Sequence, residues 1–425
     1  MAQRSLASRR SRFLEELTGD GGFLFTTRIV RMFAYGFLSV ILVLYLAEVG
    51  LAETEIGVLL TLTLLGDTAI SLWITTHADR IGRRRMLVLG SILMVFAGIL
   101  FAFTGNFILL LIAATIGVIS PSGNEVGPFL SIEQASLSQI VPDERRTGIF
   151  AWYNLVGSFA TALGALAGGF LVQALQDSGV AALISYHAII IGYAILGGVL
   201  AGLFTRLSQG IELSGAADSP GRSSPYQSWL GLHRSRRIIL KLSALFSLDA
   251  FAGGFVLQSI VAYWFYVRFQ VEPGILGSIF FGANVLAGLS ALTAVWVASK
   301  IGLIRTMVFT HIPSNILLIL VPLMPTLPLA ITVLLLRFSI SQMDVPTRQS
   351  YTMAVVSPDE RSAAAGITGI ARTTGSSLSP VIAGPLMGSA ALLSVPFFLS
   401  GGIKIIYDLM LYRNFKAIKP PEEKK

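Results

Sequence analysis

At 425 residues, 54% hydrophobic and only 13% charged, with a mean hydropathy of +0.74, the chain is far more apolar than a soluble domain and is expected to live in lipid. It has no cysteine, which excludes disulfides, thiolate metal ligands and thiol nucleophiles. The formal charge of +8 is what basic loops facing anionic lipid produce, and no basic patch interleaved with aromatics points to a nucleic acid.

Apolar runs broken by Gly, Pro or charge clusters give twelve predicted spans, beginning near residues 23, 54, 86, 106, 147, 184, 241, 275, 303, 328, 362 and 390. All are expected to be α-helices, because lipid offers no partner to an open sheet edge and runs of this length match a bilayer. The first, "FLFTTRIVRMFAYGFLSVILVLYLAEVG", is of full length and carries Arg28 and Arg31. That argues against a cleavable signal peptide, so the N-terminus is expected to be retained. Connections alternate in charge: "HADRIGRRRM", "PDERRTG", "HRSRRIILK" and "PDERSAA" are basic, whereas "AEVGLAETE", "TGN" and "LQDSG" are not, and Arg268 is the lone basic residue of the outer loops. The positive-inside rule then puts both termini in the cytoplasm.

A Ser/Gly/Pro-rich polar segment separates two hydrophobic halves and reads as a linker. The expected organisation is a cytoplasmic N-terminal segment 1–22, a six-helix bundle 23–205, a cytoplasmic linker 206–240, a second six-helix bundle 241–413 and a cytoplasmic tail 414–425. The halves carry matching text. "QIVPDERRTGIF" recurs as "AVVSPDERSAAAG", and "ADRIGRRRM" recurs, eroded, as "ASKIGLIRT", which reads as two parallel, pseudo-symmetric repeats.

Over nearly its whole length the chain resembles the major facilitator superfamily of secondary transporters. The likeness rests on "THADRIGRRRM", with Asp79, Gly82, Arg83, Arg84 and Arg85 in the positions of the family's signature loop and Thr75 where the family usually has its first glycine. The resemblance implies a gating contact between Asp79 and the eleventh span, which begins near Ser362. Read from the residues alone, a carboxylate at a helix end attracts the positive N-terminus of another helix, while the arginines also suffice to set topology. "GALAGG", Gly164 to Gly169, resembles the antiporter-associated Gly-Pro-x-x-Gly-Gly stretch with Ala165 in place of its proline; ordinary helix packing uses the same small residues.

Ionisable residues within spans cost several kcal/mol unless paired or wet, so they are functional candidates by default. They are Arg28 and Arg31 in the first span, Asp67 in the second, Glu125 and Glu133 in the fourth, Asp249 in the seventh, Arg337, Asp344 and Arg348 in the tenth, and Arg372 in the eleventh. At 1.5 Å per residue, Arg31, Glu133, Arg348 and Asp249 lie ~12 Å, and Asp67 and Arg372 ~15 Å, from the cytoplasmic side. They form one layer, in which Glu133 is the expected partner of Arg31 and a bound anion its rival. Lys404 and Asp408, four apart, are expected to pair with each other.

The fourth span is interrupted by Pro121, Gly123, Gly127 and Pro128 around Asn124 and Glu125, and "SQMDVPTRQSY" repeats the pattern in the tenth. Breaks of this kind expose backbone polar groups beside a carboxylate and often hold substrate or ion, although a kink can also only shape the bundle. Tyr263, Trp264 and Tyr266 read as membrane-interface aromatics.

The expected function is secondary transport of a small anionic or amphipathic solute by alternating access in a plasma or bacterial inner membrane, by proton-coupled efflux, with uptake or facilitated diffusion as the alternative. Arg28, Arg31, Arg348, Arg372 and Asn124 are the substrate-binding candidates, because a guanidinium fork matches oxyanions. Glu125, Glu133, Asp344, Asp67 and Asp249 are the proton-coupling candidates, since carboxylates exchange protons; fixed salt bridges are the competing reading of the same charges. Asp79, Gly82, Arg83 and Arg84 are the gating candidates. No phosphate loop, nucleophile elbow or metal-ligand spacing is present, so neither an enzyme, a cofactor nor a metal is expected. The partners expected are solute, protons and lipid around a monomer.

Overall fold

The computed structural model describes residues 19–141, 143–212, 234–357 and 360–418, without the side chains of 143–148 and 362. Most of the predicted N-terminal segment, linker and tail, and the side chains of the first "PDERRTG" loop, lie outside the described residues.

Among the described residues there is no strand, and a helix begins within five residues of every predicted start. The first half comprises α1 (Asp20–Ser39), α2 (Leu42–Glu48), α3 (Glu53–Ile81), α4 (Arg83–Phe103), α5 (Phe107–Ile116), α6 (Phe129–Ile140), α7 (Asp143–Asp177) and α8 (Ala182–Phe204). The second comprises α9 (Arg236–Gly254), α10 (Gln258–Phe269), α11 (Pro273–Ile301), α12 (Leu303–Leu320), α13 (Leu327–Phe338), α14 (Asp344–Ala354), α15 (Arg361–Ser377), α16 (Pro380–Met387) and α17 (Val395–Phe415). Eight spans among the described residues are long and apolar enough to cross a bilayer, and α1 with α2, bent by 43°, makes a ninth. Apolar side chains such as Phe103 (79% exposed) and Val295 (70%) point outward, as they do where lipid is the solvent.

The repeat is visible in the backbone. α3 and α11 are both 29 residues long and start 220 residues apart. Each ends on a glycine of positive φ, +114° at Gly82 and +88° at Gly302, and the next helix starts at once. A Cβ would strain that conformation, which is why the eroded copy of the loop still keeps its glycine.

Small residues set the helix crossings. A Cβ on Gly36 would lie 2.0 Å from the carbonyl of Thr161, and one on Gly164 would lie 2.0 Å from that of Phe33, so α1 and α7 touch backbone to backbone. Gly169 meets Pro273 and Gly277 of α11 across the two halves, and Gly57 meets Pro380 and Gly384 in the pseudo-equivalent crossing of α3 with α16. The "GALAGG" glycines are therefore packing residues in this structure.

Hydrogen bonds between the halves gather at the end opposite the basic loops. Gln258 Nε2 donates to Ser39 Oγ at 2.8 Å, Ser259 N to Pro121 O at 3.1 Å, Tyr263 OH to Glu53 Oε1 at 3.1 Å and Val381 N to Thr61 Oγ1 at 2.9 Å. Tyr263 and Trp264, expected at the lipid interface, are instead buried; Trp264 donates to Ser394 Oγ at 3.2 Å and packs on Phe397. Tyr266 is 37% exposed.

Candidate functional site

Two buried charge clusters lie in the helices, one in each half. In the first, Arg31 is fully buried on the same face of α1 as Arg28, three residues earlier. Glu133 reaches it from α6, and Glu125 from the non-helical stretch 117–128 between α5 and α6. Pro121, Gly123 (φ +69°) and Gly127 (φ +80°) prevent a helix there.

Arg31 is held between the two carboxylates. Its Nη1 and Nη2 donate to Glu133 Oε1 and Oε2 at 2.8 and 2.6 Å, while Nε and Nη2 donate to Glu125 Oε1 and Oε2 at 2.8 and 3.4 Å. Glu133 also accepts from Thr27 Oγ1 at 2.8 Å and from the Tyr153 hydroxyl. Arg28 pairs with Glu125 and lies 4.9 Å over the Tyr153 ring, and Phe129 stacks 4.8 Å from the Arg31 guanidinium. Two cations face two anions, and the donor geometry of Arg31 matches the carboxylates around it.

Asp67 sits near this cluster in sequence depth but belongs to a different contact. Its Oδ1 accepts from Gly127 N at 2.6 Å and from Ser71 Oγ at 3.4 Å, so it ties α3 to the interrupted stretch. The Tyr35 hydroxyl ties α1 to the same stretch by donating to Val126 O at 3.1 Å. Asn124 is exposed in that stretch, with its backbone carbonyl held by Ser120 Oγ at 2.7 Å.

The second cluster centres on Asp249 of α9. Its Oδ1 lies 2.6 Å from Lys404 Nζ and 4.0 Å from His311 Nε2, and its Oδ2 lies 3.4 Å from Arg348 Nη1 and 3.3 Å from Arg372 Nη1. Asp344, one helical turn before Arg348, pairs with it at 2.6 Å. Asp408 of α17 accepts from Asn315 Nδ2 at 3.0 Å and lies 2.9 Å from His311 Nδ1. The local backbone explains the position of Arg348: residues 339–343 are not helical, and Pro346 falls in the first turn of α14, where proline costs no hydrogen bond.

Lys404 and Asp408 therefore do not pair with each other, contrary to their spacing. Each faces a nearer partner on another helix, which makes them, with His311 and Asn315, the site residues that sequence reasoning missed. The available signal was a lysine, an aspartate and a histidine within apolar runs, each an intramembrane polar group that needs a reason. Arg337 lies beside Phe338, its guanidinium 4.8 Å from the ring.

The signature loop is held by partners in its own half. Asp79 pairs with Arg83 at 2.9 Å within its own turn; the side chain of Ser362, where the eleventh span begins, lies outside the described residues. The carboxylate of Glu212 caps α4, accepting from Arg83 N at 2.8 Å and Arg84 N at 3.1 Å. Arg83 Nη1 reaches Gln139 Oε1 at 2.8 Å and Ile211 O at 3.2 Å, and Arg84 Nη1 reaches Leu207 O at 3.2 Å. Residues 207–212, part of the predicted linker, are thus docked on the loop, with Ile211 fully buried. Among the described residues no group of His, Asp and Glu is arranged to hold a metal ion.

The family model described as Major Facilitator Superfamily matches residues 24–380. An uncharacterized membrane protein of Saccharomyces cerevisiae, YJR124C, is 31% identical over 424 residues, 94% of either chain. Quinolone resistance protein NorA of Staphylococcus aureus is 25% identical over 138 residues, 32% of this chain and 34% of that one. Among solved structures, a D-xylose-proton symporter superposes with a TM-score of 0.70 at 14% identity, covering 95% of this chain and 98% of that one. The likeness is one of fold.

Proposed function

The chain belongs to the major facilitator superfamily, and from that premise we propose that it is a proton-coupled secondary active transporter that moves a small anionic or amphipathic solute by alternating access. The reading takes twelve spans in two six-helix bundles, with both termini and the basic loops in the cytoplasm of a plasma or inner membrane, and the monomer as the working unit. The polar contacts between the halves gather at the opposite end, so the molecule is read as open toward the cytoplasm.

One observation carries this reading: each half buries a cluster of opposed charges inside the bundle, at interrupted helices. Buried charge of this kind is costly unless it serves a path or a switch. Arg348 and Arg372 are the anion-recognising pair, since their shared partner Asp249 also serves other cations and leaves their forks incompletely used. Arg372 is the more accessible, at 33% side-chain exposure. Arg28, Arg31 and Asn124 meet solute when Glu125, carried on the non-helical stretch, turns away. The coupled proton acts on the second-half carboxylates Asp249 and Asp344, while Glu125, Glu133 and Asp67 fix the first half until solute arrives, and the loop of Asp79, Gly82, Arg83 and Arg84 latches the cytoplasmic side. The protein carries solute without altering it and needs no cofactor.

Export by antiport is the first reading, favoured by the likeness of a third of the chain to a quinolone resistance protein. A second reading, uptake of an anion together with protons, is favoured by Asp249 itself. Its Oδ1 faces Lys404 and His311 while its Oδ2 faces the two arginines, so a proton arriving on the histidine side releases guanidinium groups for an anion.

The test is transport in proteoliposomes carrying an imposed pH gradient, with labelled norfloxacin and labelled small carboxylates as probes. Antiport is expected to concentrate unaltered solute in an acid lumen, and symport in an alkaline one. Solute recovered chemically changed, or left unmoved across both panels and both gradients, would defeat the proposal.

A further inference from the structure

We propose that His311 is the residue through which protons act on this protein, with Asp408 positioning its ring and Asp249 receiving its influence. The inference rests on the transport reading and goes beyond it, because it locates the coupling at the seam of α12 and α17.

The geometry is that of a relay. His311 is buried, with Nδ1 2.9 Å from Asp408 Oδ1 and Nε2 facing Asp249 Oδ1 at 4.0 Å. A ring with a carboxylate at either nitrogen has its orientation fixed by one and presents its second nitrogen to the other. Asp408 is itself fixed by Asn315 at 3.0 Å. The gap to Asp249 is closed by a small side-chain rotation or bridged by one water.

The surroundings make the histidine the group that sets the charge. From α9 comes Asp249, from α14 Asp344 and Arg348, from α15 Arg372, and from α17 Lys404, Asp408 and the neutral Tyr407, whose ring stands edge-on to the imidazole at 6.1 Å. Three carboxylates thus stand among three cations, and the cluster is neutral or carries one positive charge according to whether the imidazole bears one proton or two. No group of the first-half cluster has this property, since Arg28 and Arg31 remain charged at all physiological pH and bind both carboxylates there.

The proton has a mechanical consequence because Asp249 is two-sided. A second proton on His311 draws Oδ1 toward α12 in competition with Lys404 of α17, and Oδ2 then holds Arg348 of α14 and Arg372 of α15 less well. Loss of that proton reverses the preference. The proton moves between the imidazole and solvent or Asp249, with no other bond made or broken. Asn315 Oδ1, Ser314 Oγ and Ser400 Oγ are buried without partners on the same two helices, an arrangement that suits a polar path rather than a sealed core.

The chain has no cysteine, so Arg80→Cys and Lys300→Cys place spin labels on the exposed, pseudo-equivalent ends of α3 and α11 without background labelling. Pulsed dipolar distances between them are measured in proteoliposomes from about pH 5 to 8, the range in which histidine exchanges its proton. Two distance populations are expected whose ratio shifts with pH. His311→Gln is expected to keep both populations and lose the shift, and Asp408→Asn, which retains the shape of the contact, to lose most of it. His187→Asn is the control and is expected to shift like the parent. A shift of equal size in His311→Gln would overturn the relay while leaving alternating access standing. A single distance in the parent protein at every pH would overturn both.

Discussion

Arg31 and Asp249 are opposites. Arg31 is a cation between two carboxylates, and Asp249 is a carboxylate among four basic side chains. The donors of Arg31 meet four oxygens at 2.6 to 3.4 Å, whereas Asp249 has two oxygens for partners spread from 2.6 to 4.0 Å. A matched fork holds one arrangement. A carboxylate outnumbered by its partners has several of similar energy, and a single proton decides among them. The first half therefore reads as the holding side of the molecule and the second as the switching side.

The strongest way to break this comparison is to remove Arg31. Arg31→Gln leaves Glu125 and Glu133 buried without their shared cation and is expected to cost about 3–5 kcal/mol of stability, measured by unfolding in mixed micelles. Adding Glu133→Gln is expected to recover more than half of that loss, since the pair then becomes two neutral amides. Asp249→Asn is expected to cost less, about 2 kcal/mol, because Arg348 keeps Asp344 at 2.6 Å and an amide oxygen still accepts from Lys404. An Asp249→Asn loss as large as that of Arg31→Gln would erase the distinction between the clusters.

Two smaller changes sharpen it from outside the clusters. Gly169→Ala puts a methyl 2.4 Å from Pro273 O and is expected to disfavour the closed outer end by roughly 1.5 kcal/mol, within the usual range for overpacking. Spin-label distances across the halves would report the shifted population. Glu212→Gln weakens the cap on α4 and is expected to cost about 0.5–1 kcal/mol, seen as a small drop in Tm without any change in the pH response.

Depth was legible in the sequence and azimuth was not. Counting at a fixed rise per residue brought Arg31 and Glu133 to one level, and the structure pairs them. The same count put Asp67 in the layer, yet its partner is a backbone amide of the interrupted stretch, which no periodicity describes. Lys404 and Asp408 show the other limit. Spacing four allows a local pair, but α9 and α12 pack closely enough on α17 to offer each a partner across the seam. Gly82 and its copy Gly302 were legible because a tight helix-to-helix turn needs that residue. The docking of Glu212 was not, because a polar segment without a pattern gives no sign of where it turns.

The most direct test of the holding and switching roles is a pair of double-mutant cycles for stability, Arg31 with Glu133 and Asp249 with Lys404, each run at about pH 5.5 and pH 8. The Arg31–Glu133 coupling is expected to be large and the same at both pH values, and the Asp249–Lys404 coupling smaller and weaker at the lower pH as His311 competes for the same carboxylate oxygen. An Asp249–Lys404 coupling that does not change with pH, or an Arg31–Glu133 coupling that does, would contradict those roles.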